Sequence, residues 1–145
     1  MTTDYVTVKK ETNYNQYIGV FENTKVDVEL FPHRAAIKLP RNMLKKSMDG
    51  KIYEWQQIGL FADPQVAARA YNMYALAYYG DKAILNRLPK QTKARDRMWQ
   101  EFLELPYAQR INAQAVEAAS DMGGSFKYYE PRVQAKSVAS VKGAF

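Results

Sequence analysis

Two alternating runs hold the residues best suited to chemistry in this chain: Arg34, Ala36 and Lys38 in one, and Tyr53, Trp55 and Gln57 in the other. In an extended chain, side chains two positions apart share one face. A face of cations, aromatic rings and an amide can hold phosphates, stack on bases or touch groove edges. The same residue types are enriched at protein interfaces, so residue type alone leaves both partners open. Between the runs lies Pro40–Gly50, PRNMLKKSMDG, with Arg41, Lys45 and Lys46. Lysines at a hairpin tip can follow a phosphate backbone without reading sequence, and they can equally well keep a solvated loop soluble. From Lys25 to Lys51 seven cations stand against three carboxylates, and the whole chain carries a formal net charge of +6.

Catalysis has less to work with. His33 is the only histidine, and after Pro32 at a strand start it reads as structural or exposed. There is no glycine-rich phosphate loop and no nucleophile with a base that does not depend on that one residue. The expectation is a protein that is not an enzyme and needs no cofactor or metal. The lack of cysteine rules out disulfides and thiolate zinc sites. No apolar run approaches a membrane span, and MTTDYVTVKK lacks the apolar centre of a secretory signal. No membrane partner and a cytoplasmic location are therefore expected, with the nucleus left open.

The elements that must position these residues are legible. Tyr17–Glu22, His33–Leu39 and Ile52–Gly59 are rich in β-branched, aromatic and aliphatic residues, and Asp49-Gly50 is a frequent turn pair. Alternation places Ala35, Ile37, Leu39, Ile52 and Ile58 on the packed side. Glu54 and Gln56 suit that side poorly, which makes the third strand the one that a bulge would rotate. Asp63-Pro64 starts a helix and Gly80 ends it. Ala67, Ala68, Ala70, Ala75 and Ala77 let this helix lie close to a sheet, with Tyr71, Tyr74 and Tyr78 at its edges.

The stretch from Tyr17 to Pro89 resembles the ethylene-response-factor (Apetala-two) DNA-binding domain. The matching residues are Tyr17, Gly19 and Val20 at the first strand and, more loosely, Ala35 and Ile37 at the second. Then come Gly59, Phe61, Ala67, Ala68, Ala70, Tyr71, Ala75, Gly80, Ala83, Asn86 and Pro89, with Asn72 where the family usually has Asp. The resemblance covers roughly half the chain and implies a sheet whose outer face lies in the groove of double-stranded DNA. The family's contact positions fall on Ile18, Phe21, Asn23, Ala36, Lys38, Trp55 and Gln57, of which only Lys38 is cationic. Both hairpin connections are also longer than the family's, so its target sequence is not carried over. Related domains in phages and mobile elements occur attached to histidine-dependent nucleases, whose units need more histidines than this chain has. Two roles stay open: a DNA-binding regulator, in the nucleoid or host cytoplasm if phage-encoded, or a protein-interaction module using Ile18, Phe21, Tyr53 and Trp55, for which stand-alone domains of this type in phages imply action on host machinery.

The fold class expected is α+β: a three-stranded antiparallel sheet packed on one α-helix, with a C-terminal helical hairpin and a mobile tail. The divisions are an N-terminal arm at 1–16, the sheet-plus-helix unit at 17–89, a helical extension at 90–124 and a basic, aromatic tail at 125–145. A second basic stretch, Lys82–Arg97, would flank a duplex or link two units. Gln91–Leu105 and Tyr107–Met122 read as helices separated by Pro106 and closed by Gly123-Gly124. Their stripe of Met98, Phe102 and Leu105, with Trp99 and Leu103 beside it, would pack back on the first unit or make a homodimer or another protein contact. The tail, with Phe126, Tyr128, Tyr129, Arg132, Lys136 and Lys142, reads as an arm for DNA or a docked peptide.

Overall fold

In the computed structural model, residues 16–131 are described. Three strands, β1 (Val20–Glu22), β2 (His33–Lys38) and β3 (Trp55–Phe61), form an antiparallel sheet in the order β1-β2-β3. Helix α1 (Pro64–Tyr79) crosses the sheet. Then follow β4 (Ile84–Asn86), α2 (Lys93–Leu103), α3 (Pro106–Met122) and β5 (Lys127–Tyr129). The expected α+β architecture, a sheet on one helix with a helical hairpin behind, is the one observed.

Helix α1 starts where its local chemistry dictates. The Asp63 carboxylate accepts from the backbone N–H groups of Gln65 (2.8 Å) and Val66 (3.3 Å), and Pro64 follows at the first helical position. At its end Gly80 takes φ 56° and opens a short 3-10 turn. The helix contacts all three strands, β4 and both later helices. That is why Val66, Ala67, Ala68, Ala70, Met73, Tyr74 and Ala75 are all buried: an element covered on several sides needs small side chains on more than one of them.

The hairpin packs back on this unit. Trp99 and Phe102 of α2 and Ala108 and Ala115 of α3 join the same core as Ile37, Ile58 and Phe61. Leu105 lies outside it, exposed at the bend. Arg95 of α2 donates through Nε to both oxygens of Asp63 (3.0 and 2.9 Å), so one carboxylate caps α1 and anchors the start of α2. Burial works to raise the pKa of Asp63, but the bonds from Arg95, Gln65 and Val66 outweigh it and hold it below the usual carboxylate value.

Two positions fix how β1 meets the helix. Gly19 has φ 81°, and a Cβ there would sit 2.0 Å from Cδ1 of Tyr71, so only glycine fits. Beside it, Asn86 is buried and acts as a strand edge for Ile18: its Oδ1 accepts from the Ile18 N–H (2.7 Å) and its Nδ2 donates to the Ile18 carbonyl (3.0 Å). Asn72 on α1 repeats the arrangement with the backbone of Asn86, accepting from its N–H (2.7 Å) and donating to its carbonyl (2.9 Å).

The tail departs from the expectation at its start. Lys127–Tyr129 pairs in parallel with Ile84–Asn86, and Arg87 stacks over Tyr128 (4.4 Å) while pairing with Glu130 (3.0 Å). This pairing fixes a segment that composition alone gave no reason to order. It also gives Arg87, like Arg95, an intramolecular partner. Arg132, Lys136 and Lys142 lie outside the described residues, as does all but the last residue of the N-terminal arm.

Candidate nucleic-acid interface

The side of the sheet away from α1 is set by its register. Phe21 lies opposite Arg34, Arg34 opposite Leu60, Ala36 opposite Gln57 and Lys38 opposite Trp55. Residues opposite one another in an antiparallel pair point to the same side, so Phe21, Arg34, Lys38, Trp55, Gln57 and Leu60 share this face. Between Ala35 and Ala36 the register skips Ile58, a β-bulge that leaves Ile58 buried beside Gly59. The bulge keeps Trp55 and Gln57 outward while Ile58 and Phe61 turn inward. Gln56 stays on the helix side, where its Oε1 accepts from the Tyr78 hydroxyl (2.8 Å).

Three side chains form the centre of this face. The Arg34 guanidinium stacks 5.0 Å from the Phe21 ring centroid, and Phe21 meets Trp55 edge to face at 5.9 Å. Trp55 remains 54% exposed. Ala36, expected on the open face, is on that side but buried at 2% exposure, paired between Gln57 on β3 and the Gly19 carbonyl. A shallow depression of about 270 Å³ lies among Phe21, Arg34 and Trp55. A second cleft of about 290 Å³ is lined by Thr24, Lys25, Val26, Arg34, Gln57 and Leu60, among others. Arg34 thus stands between the two depressions. Among the described residues it has no hydrogen bond or ion pair to a carboxylate.

Lys38 is exposed at the far end of β2 and lies 3.6 Å from Glu54, an open pair of little energetic weight. Arg41 sits in a 3-10 turn, Arg41–Met43, and Lys45 and Lys46 follow it, all three exposed. The connection is braced at its tip: the Asp49 carboxylate accepts from the Ser47 and Tyr53 hydroxyls and from the Lys51 N–H (3.0 Å). Those bonds draw the Asp49 pKa down to about 2.

Tyr53 is therefore not a strand residue. Alternation alone puts it on one strand face with Trp55 and Gln57, but β3 starts at Trp55 and Tyr53 belongs to the connection, its hydroxyl committed to Asp49. Ile52, which alternation assigns to the packed side, is exposed for the same reason and bridges Lys46 through its backbone.

No family model, curated protein or solved structure matches this chain.

Of the eight site residues read from sequence, the fold brings Arg34, Lys38, Trp55 and Gln57 onto one sheet face. Arg41, Lys45 and Lys46 stand on the adjoining connection, with Tyr53 bracing it. Period-two reasoning within single strands misses Leu60 and Lys25. Leu60 comes into line only after the bulge, and Lys25 is brought to the cleft by a loop. Cross-strand register would have found Leu60; for Lys25 the sequence holds no local signal. His33 faces the helix side opposite Phe61 and Glu22, where burial lowers its pKa against the opposing influence of Asp63. Among the described residues no group of three or more histidines and carboxylates could hold a metal ion, and no helix is long and apolar enough to cross a membrane.

Proposed function

We propose that this chain is a non-enzymatic DNA-binding protein of regulatory type that lays the outer face of its sheet against a duplex. The observation that carries the reading is Arg34: a guanidinium preset by stacking on Phe21, beside the exposed ring of Trp55 and without a described carboxylate partner. A planar cation with open donors suits a phosphate oxygen or a base edge, and the ring next to it suits a sugar or base face. Arg41, Lys45 and Lys46 lie on the connection beyond Lys38, where they would follow the backbone and supply the salt-dependent part of affinity. Trp55 and Gln57 would supply groove contact, and Tyr53 would act by holding the connection. The resemblance to the ethylene-response-factor domain supports the same face, and Gly19, Asn72 and Asn86 give that resemblance a packing rationale.

The test is fluorescence anisotropy of a labelled mixed-sequence duplex at low and near-physiological salt. Binding that falls steeply with salt is expected. The Arg34→Ala/Lys38→Ala variant should bind more weakly, and its slope of log affinity against log salt should be shallower by about one unit for each phosphate left without its cation. No binding at low salt would overturn the reading. An unchanged slope in the variant would move the DNA contact to another face.

A further inference from the structure

Two sets of exposed apolar side chains lie at opposite ends of the sheet, on the two connections of the meander. The connection from β1 to β2 presents Val26, Val28, Leu30 and Phe31 to solvent, Leu30 at 66% exposure. Four apolar side chains exposed within six residues make this connection a candidate contact surface. This connection is also built rather than loose. Buried Asn23 donates through Nδ2 to the carbonyls of Val26 and Phe31 (2.7 Å each) and accepts at Oδ1 from the Lys25 N–H (3.2 Å). The Asp27 carbonyl accepts from both Leu30 (3.1 Å) and Phe31 (2.8 Å), and Asp27 takes φ 49°. A segment held in this way loses little conformational freedom on docking.

Its charge differs from that of the rest of the chain. Asp27 and Glu29 alternate with the apolar residues, with Lys25 the only cation on the connection. With two carboxylates against one cation this is the acidic end of the sheet, poorly matched to a second copy of the same connection. The connection from β2 to β3 has the opposite character. It exposes Met48 completely, together with Ile52 and Tyr53, amid Arg41, Lys45, Lys46 and Lys51, and its tip is braced by Asp49. In a three-stranded meander the two connections sit at opposite ends of β2, so they cannot meet within one molecule.

We infer that the apolar, acidic connection of one copy docks on the apolar, basic connection of a second copy, head to tail. Each half offers apolar surface for affinity and a rim of opposite charge for orientation. The contact is heterologous: every added copy leaves one connection of each kind free, so the assembly grows as a chain or closes as a ring. This association draws on Lys45 and Lys46, which the proposed DNA contact also uses, and it is tested without DNA so that its failure is distinguishable from a failure of that reading.

The experiment is sedimentation velocity of the full chain from micromolar to several hundred micromolar, with circular dichroism to check that each variant is folded. The expected result for the parent chain is a mass that rises with concentration past two copies. Two variants each lose one end: Asp27→Asn/Glu29→Lys, in which Asn tolerates the positive φ, and Lys45→Gln/Lys46→Gln, which neutralises without reversing and so does not make the two altered ends complementary to each other. Each alone should stay a monomer. Their equimolar mixture should form a complex of two copies and grow no further, because only one competent end remains on each. Leu30→Ser/Phe31→Ser, which keeps the charges, should also lose every species above the monomer. A parent chain that remains monomeric throughout, an assembly that stops at two parent copies, or folded variants whose mixture fails to pair would each overturn the inference.

Discussion

The two faces of the three-stranded sheet hold polar groups on opposite terms. On the helix side they are met: Gln56 by Tyr78, and at the adjoining edge Ile18 by Asn86 and Asn86 by Asn72. On the outer side Arg34, Gln57 and the Trp55 indole have no hydrogen bond among the described residues. Buried polar groups must be paired to be tolerated, so a change on the first side costs stability. Open donors on the second side are solvated in the free protein, so a change there costs little stability and acts on binding. Substitutions should therefore separate into two classes with little overlap.

The largest effect is expected at Gly19. An alanine there must adopt a strongly unfavourable φ and drive its Cβ into the Tyr71 ring, so Gly19→Ala should cost about 3 kcal/mol or more. Urea unfolding followed by circular dichroism checks this, and a loss well under about 1 kcal/mol would mean that β1 moves freely over α1. Asn86→Ala comes close behind, because it leaves both the N–H and the carbonyl of Ile18 without their partner: about 2–3 kcal/mol. The same variant should loosen β1 first, visible as faster amide exchange at Ile18 and Val20 than in α3.

Legibility in the sequence follows the range of the interactions. Asp63-Pro64, Gly80 and Gly123 end or begin helices through bonds to residues at most a few positions away, so the three helices can be read with only their edges shifted. The strands are legible as strands, but their faces depend on distant partners. Ile58 is skipped in the register that pairs β3 with β2, and Tyr53 stands outside the sheet with its hydroxyl bonded to Asp49. Strand β5 is not legible at all: its three residues pair with a segment some forty positions earlier. On the candidate face, composition singles out Arg34, Trp55 and Gln57. The stacking of Arg34 on Phe21 needs the pairing of β1 with β2.

Charge and packing inside the fold can be separated at Asp63. Asp63→Ala removes the cap of α1 and the anchor of Arg95 and should cost about 2 kcal/mol at neutral pH. Because the Asp63 pKa is lowered by folding, its contribution is fully present above its unfolded value of 3.8 and fades as pH falls through the lowered folded value. The gap between parent and variant should therefore be constant from neutral pH to about pH 5 and narrow below about pH 4. A gap that stays the same at acid pH would assign the loss to packing instead of the carboxylate.

The smallest stability effect belongs to the outer face and gives the sharpest contrast. Glu54 lies 3.6 Å from Lys38 with both side chains more than half exposed, so Glu54→Gln should leave stability within about 0.5 kcal/mol of the parent. For a DNA-binding face the same change is expected to be a gain. It frees Lys38 from its carboxylate and removes a negative charge from the surface that meets the duplex, so affinity at low salt should rise and the salt slope should steepen by up to about one unit. Most single substitutions that improve binding do so by adding a contact; this one would do so by removing a competitor. Weaker binding after Glu54→Gln would place Glu54 itself in contact with the partner. A carboxylate that aids binding does not face a phosphate: it would accept from a base amino group in the groove or from a protein donor, and the salt dependence of the remaining affinity separates the two, steep for DNA and shallow for a protein.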